Sequence, residues 1–232
     1  MGAGIIKQIE YCKPYKNKKL TIKLRYAIFL SGNERVIAIF MKNRRNLQMS
    51  ATETRSKTLD MVYIAMFAVL MAICSWISIP STVPFTLQTF GVFLAVGVLG
   101  GKRGSLSVLI YILLGAIGIP VFAGFQGGIG IILGNTGGYI IGFLFSALFM
   151  WGMEKVLGKK TWALALSMIL GLLVCYAFGT VWFMIFYAKN VGEIALWTVL
   201  GWCVFPFIIP DVIKIVLALF LCKRLASVIK IN

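Results

Sequence analysis

Residues 205–220 read FPFIIPDVIKIVLALF, and fourteen of these sixteen positions are apolar. The two exceptions, Asp211 and Lys214, stand three residues apart. A charge at bilayer depth costs about 2.5–3.5 kcal/mol on insertion scales, so an acid and a base inside such a run usually have a function. The rest of the chain sets the solvent. It is 60% apolar and 13% charged, against roughly 25% charged in soluble domains. Several stretches approach or exceed the ~18–20 apolar residues that cross a bilayer. The fold class expected is an all-α integral membrane protein.

Six apolar segments organise the chain: Leu59–Ile79, Thr86–Gly100, Ser105–Phe122, Gly137–Leu157, Trp162–Ala188 and Ala195–Leu225. The second is short, which suggests a tilted or partly re-entrant piece. The last is broken near Pro206–Pro210, after an interfacial stretch carrying Trp197 and Trp202. A helix restarting at the prolines would use them in its first turn, where they fit. Basic residues mark every other boundary: Arg55 and Lys57, then Lys102 and Arg103, then Lys155, Lys159 and Lys160, then Lys223, Arg224 and Lys230. The first and third connections carry no charge, and the fifth only Lys189 and Glu193. The positive-inside rule then predicts six crossings with both ends in the cytoplasm (N-in/C-in). Asp211 and Lys214 fall near the outer start of the last helix, where a pocket would open to the exterior.

Residues 1–58 hold 13 of the 23 Lys and Arg. Such a bias raises nucleic acid as a partner, but membrane topology accounts for it better, and no nucleic-acid partner is expected. Residues 1–48 mix Lys, Tyr, Ile and Arg without a sustained period and form a basic N-terminal extension; 49–232 form the membrane domain. MSATETRSKTLDMVYIAMF, from Met49, reads like a polar lead before a first membrane helix. Translation from Met49 is one reading, and a basic arm lying on anionic lipid is the other. No signal peptide is evident in this text.

The chain has no histidine, which removes the commonest general base and metal ligand. Its five cysteines form no CxxC pair, and Cys74, Cys175, Cys203 and Cys222 lie in apolar segments as small buried hydrophobes. No metal site, no cofactor and no catalytic cluster is expected. No GxxxxGK[ST] loop occurs, so the chain supplies no ATPase of its own. A single acid–base pair with no polar path to the other side argues against a channel.

Asp211 and Lys214, at i and i+3, share a helix face. They form either a mutual ion pair or the polar wall of a solute pocket; both can hold at once. The uncharged stretch GFQGGIGIILGNTGGY, 124–139, has seven glycines and is either a flexible turn or backbone lining a cavity. Gln126 and Asn135 are its polar side chains best suited to a neutral ligand. IPSTVPFTLQTF, 79–90, with Gln88, is either a lid or a plain hairpin. Ala65, Ala68 and Ala72 lie along the first helix, and Ala68-x-x-x-Ala72 is a small-xxx-small pair that admits a close helix, from a partner or from within.

The stretch VPFTLQTFGVFLAVGVLGGKRGSLSVLIYILLGAIGIPVFAGFQGGIGIILGNTGGYIIGF, 83–143, and PFIIPDVIKIVLA, 206–218, resemble the signature of the BioY family. Its members are biotin-binding substrate-capture subunits, the S components of energy-coupling factor (ECF) transporters. The resemblance covers roughly 57–228. It implies the S-component fold of six membrane helices, with an externally placed pocket, in a multi-pass protein of the bacterial cell membrane. It implies biotin as ligand, Asp211 and Lys214 as the polar binding pair, and further contacts from Gln126, Gly127, Gly128, Asn135 and Tyr139. The family often has Pro at position 135 and Ser at 126. The resemblance assigns the alanines of the first helix to docking on the transmembrane coupling protein (EcfT), which works with two ABC-type ATPases that use the ATP. The competing readings are an S component for riboflavin or thiamine and, further off, an integral membrane enzyme.

Overall fold

The computed structural model describes residues 57–80, 83–192 and 194–226. The expected extension over 1–48, and the start at Met49, lie outside them. The described chain is mostly helical. Helix α1 (Lys57–Trp76) leads into a small hairpin, in which β1 (Ser78–Ile79) pairs antiparallel with β2 (Phe85–Thr86) in the register Ser78↔Thr86 and Ile79↔Phe85. The first outer connection is thus not wholly irregular, and the class is all-α but for this ladder. Then follow α2 (Gln88–Leu99), α3 (Gly101–Ala116), a 3-10 turn (Ala123–Phe125), α4 (Ile129–Ile132), α5 (Gly137–Leu157), α6 (Thr161–Asn190), α7 (Leu196–Cys203) and α8 (Phe205–Ala226).

Among the described residues four spans are long and apolar enough to cross a membrane: Lys57–Trp76, Gly137–Leu157, Thr161–Asn190 and Leu196–Leu225. Helices of this length and composition suit a chain that crosses a membrane several times. Helices α2 and α3 fall short of that length. A twelve-residue helix such as α2 is ~18 Å long, against a hydrocarbon layer of ~30 Å. It can be short because it sits in the core: Val92, Phe93, Ala95, Val96 and Leu99 are all at most 3% exposed. Apolar on every side, it is buried on every side. Helices α8, α3, α5 and α6 all pack on it. The β2 segment leads directly into its N-terminus.

The third apolar segment forms a helix that starts and stops earlier than its hydropathy indicates. Gly100, at φ 80°, makes a one-residue turn out of α2. The Glu154 carboxylate then accepts the Gly101 N–H, satisfying one of the orphan donors at a helix start. Gly118, at φ 102°, and Pro120 end the helix before Phe122. At the last break the change of direction comes at Val204, just ahead of the prolines. Pro206 and Pro210 both lie inside α8. Pro210 is only in its second turn, so its missing N–H frees a single carbonyl.

Helices α5 and α6 form the most extensive pairing among the described elements, and small residues bring them together. A Cβ on Gly142 would sit 3.2 Å from the Cys175 carbonyl oxygen, and one on Gly179 only 2.3 Å from the Tyr139 ring. Helix α1 packs against α2 and α3. The Ser107 hydroxyl donates to the Ile64 carbonyl (2.8 Å), and Gly91 abuts Met71. Ala68 and Ala72 face this packing at 2% and 4% exposure. The small-xxx-small pair is therefore internal. Neighbouring helices cover these two side chains, while Ala65 stays exposed.

Candidate functional site

A cavity lies where the N-terminal ends of α2, α5 and α8 meet the hairpin and the Gly-rich connection. Val83, Pro84 and Thr86 line it from the first connection, Gln88 and Thr89 from α2, and Phe122, Ala123 and Gln126 from the second loop. Ile131 of α4, Thr136 just before α5, Tyr139, Ile140 and Phe143 of α5, Cys175 and Tyr176 of α6, Cys203 of α7, and Phe207, Asp211 and Lys214 of α8 complete the wall. The lining is largely apolar with a few convergent polar groups, the usual make-up of a small-molecule site. Among the described residues no three His, Cys, Asp or Glu come together as a metal-holding group.

Asp211 and Lys214 are 2% and 4% exposed, and Lys214 Nζ lies 2.7 Å from Asp211 Oδ1. Burying two charges requires that each be paired and hydrogen-bonded. Thr89 Oγ1 also donates to Asp211 Oδ1 (3.0 Å), and the Tyr176 hydroxyl donates to Oδ2. Lys214 Nζ donates to the Thr86 carbonyl (2.7 Å) and lies 4.3 Å above the Phe85 ring, which stacks on Phe207 (5.7 Å between centroids). A carboxylate has about four lone-pair sites and an ammonium three N–H groups. Asp211 has thus accepted three bonds and Lys214 has donated two. One acceptor site and one donor remain on the pair, in a wall that also carries Gln126 and Tyr139 among rings and aliphatic carbon.

Gln88, Gln126 and Tyr139 line the same cavity as the charged pair. The Gln88 amide is engaged: it donates to the Tyr111 hydroxyl and accepts from Thr86 Oγ1 (2.9 Å). The Tyr139 hydroxyl lies 3.5 Å from Thr180 Oγ1. Gly127, Gly128 and Asn135 are not among the lining residues. Gly127 presses on the Ile119 carbonyl, where a Cβ would come within 2.4 Å. Gly128, at φ 102°, donates to the Gly115 carbonyl (2.6 Å). These two glycines shape the loop that presents Gln126. Asn135 is exposed, and its neighbour Thr136 lines the cavity instead. Cys74, Cys175, Cys203 and Cys222 are free and buried, as their apolar context indicates.

Sequence reasoning missed Tyr176, Thr89 and the Phe85–Phe207 pair. Tyr176 carried a usable signal: a phenol in the middle of an apolar helix needs a hydrogen-bond partner, and Asp211 is the buried acceptor it finds. Thr89 and Phe85 carried none, since their roles depend on the hairpin's register.

The family model described as the BioY family matches residues 44–231. A protein named probable biotin transporter BioY, from Pyrococcus horikoshii, is 45% identical over 170 residues, covering 73% of this chain and 97% of its own. The biotin transporter BioY of Thermotoga maritima is 40% identical over 167 residues, covering 72% and 95%. A crystal structure of the S-component for biotin from an ECF-type ABC transporter superposes with a TM-score of 0.67 at 29% identity, covering 75% of this chain and 93% of that one. These relatives are transporters rather than enzymes.

Proposed function

The chain belongs to the BioY family, and from that premise we propose that it is the membrane subunit that captures biotin for high-affinity uptake. The observation that carries the reading is the buried Asp211–Lys214 pair in the wall of an apolar cavity. Biotin's ureido ring has two N–H donors and a carbonyl, and its tail ends in a carboxylate. The open lone pair of Asp211 suits a ureido N–H. The remaining N–H of Lys214 suits an oxygen of the ligand, whether carbonyl or carboxylate. Gln126 and Tyr139 close the polar wall, and the aromatic and aliphatic lining takes the fused rings. A dry pocket with two such groups rejects analogues that leave either one unpaired.

Six crossings with both ends inside extend this reading: α1, α2, α3, α5, α6, and α7 with α8. The basic connections support it. Arg103, Lys159 and Lys223 line one cavity at the far end of the bundle from Asp211, as expected if that end faces the cytoplasm. The Asp211 pocket then faces out, in the cell membrane. Delivery falls to an ECF module, a transmembrane coupling protein (EcfT) with two ABC-type ATPases that consume ATP. This chain holds no cofactor of its own. Ala65, on the outer side of α1, remains available to that partner.

Equilibrium binding of labelled biotin to the purified protein tests the proposal, with riboflavin and thiamine as competitors. Asp211→Asn and Lys214→Ala should each weaken binding at least about tenfold, or ~1.4 kcal/mol, in folded protein. Retention of tight binding by both variants would move the ligand away from the pair. Displacement by riboflavin or thiamine but not by unlabelled biotin would reassign the substrate.

A further inference from the structure

The end of the bundle opposite Asp211 holds a second concavity that capture of a solute does not use. A cavity of about 300 Å³ is lined by Val96, Leu99, Leu164 and Leu219, with Arg103, Lys159 and Lys223 among its polar lining. A more open one, of about 500 Å³, adjoins it through Leu99, Gly100, Arg103, Glu154 and Lys159, and adds Lys102, Lys155 and Asp60. Together they set five cations against two carboxylates. Both carboxylates are already paired. Asp60 lies 2.8 Å from Arg103, and Glu154 accepts the Gly101 N–H and lies 3.7 Å from Lys159. The excess of the rim is positive.

We propose that this concavity binds one anionic phospholipid, its phosphate head on the rim of Arg103, Lys159 and Lys223 and an acyl chain in the apolar cleft between α2, α6 and α8. Two features select a lipid over a soluble anion. The floor is aliphatic, so a free phosphate would leave it unfilled, whereas an acyl chain buries it. The cations also stand at the ends of membrane helices, where long basic side chains reach the headgroup layer. Basic pockets between membrane helices are the usual receptors for anionic headgroups, and such lipids concentrate in the leaflet facing basic connections. The site is about one helix length from Asp211: the twelve positions from there to Lys223 rise ~18 Å. Lipid and solute therefore do not compete.

The test is native mass spectrometry of the full-length protein in neutral detergent, with phosphatidylglycerol and phosphatidylcholine of identical chains added in turn. One phosphatidylglycerol should be retained at least about tenfold more strongly than phosphatidylcholine. The double variant Lys159→Gln/Lys223→Gln should lose most of that preference while still binding labelled biotin, which reports its fold. If the double variant does not purify, fluorescence competition on the unaltered protein decides: the preference should fall as salt rises, through screening. Equal retention of both lipids, a preference untouched by the double change or by salt, or full displacement by glycerol phosphate at equal concentration would each overturn the assignment.

Discussion

Asp211 and Lys214 need each other before they need a ligand. Their neighbours Thr89, Tyr176 and Thr86 hold them in position. Lys214→Ala alone leaves a buried carboxylate short of its countercharge, a change that typically costs about 3–5 kcal/mol. Asp211→Leu combined with Lys214→Met removes both charges and should recover most of that loss in thermal unfolding, yet bind no biotin. Were the double variant as unstable as the single one, the pair would be holding the fold by more than charge balance. Tyr176→Phe should lower biotin affinity about tenfold, read by equilibrium binding, and cost about 1–3 kcal/mol of stability, because the other two partners of Asp211 both bond Oδ1 and Oδ2 loses its hydroxyl. At this scale the sequence was informative where chemistry is rare. An acid and a base in an apolar run stand out, and both line the cavity. Asn135, plausible by composition, is exposed instead, because α5 begins two residues later and turns the chain away.

Helices carry the site through close contacts between small and large residues. Gly179 gives Tyr139 its place: a Cβ there would reach 2.3 Å from the ring. Gly179→Val should push Tyr139 toward the cavity and cost about 1–3 kcal/mol by overpacking. Thermal unfolding should drop, and biotin binding should fall further than the shift in stability explains. The helices were legible wherever length and hydropathy agreed; α5 runs from Gly137 to Leu157, the bounds its hydropathy marks. Errors arose where a distant residue decides. The start of α3 depends on Glu154, 53 positions away, and no local pattern encodes that cap. Likewise Ala68 and Ala72 read equally well as outward or inward, until Ser107 and Gly91 show which side of α1 faces the bundle.

Across the molecule, the acid–base cavity occupies one end of the bundle and the basic connections the other. A single cysteine placed at Lys160 and one at Val191, both exposed, should react with an impermeant maleimide from opposite faces of the membrane. In intact cells Val191→Cys should label and Lys160→Cys should not, until the cells are opened. Labelling of both from outside would overturn the six-crossing topology. The brevity of α2 also has an electrical meaning. Its ~18 Å cover little more than half of a ~30 Å hydrocarbon layer, and the cavity takes up depth above its first turn. In the six-crossing arrangement proposed above, the transmembrane voltage falls mainly along α2 and below the Asp211 site. A monoanionic vitamin reaching that site from outside crosses a small part of the drop. The remainder, up to ~2.3 kcal/mol per 100 mV for a full charge, is met only on release to the inside. In the outward-facing arrangement proposed above, capture is then nearly blind to membrane potential, and the electrical work falls on release.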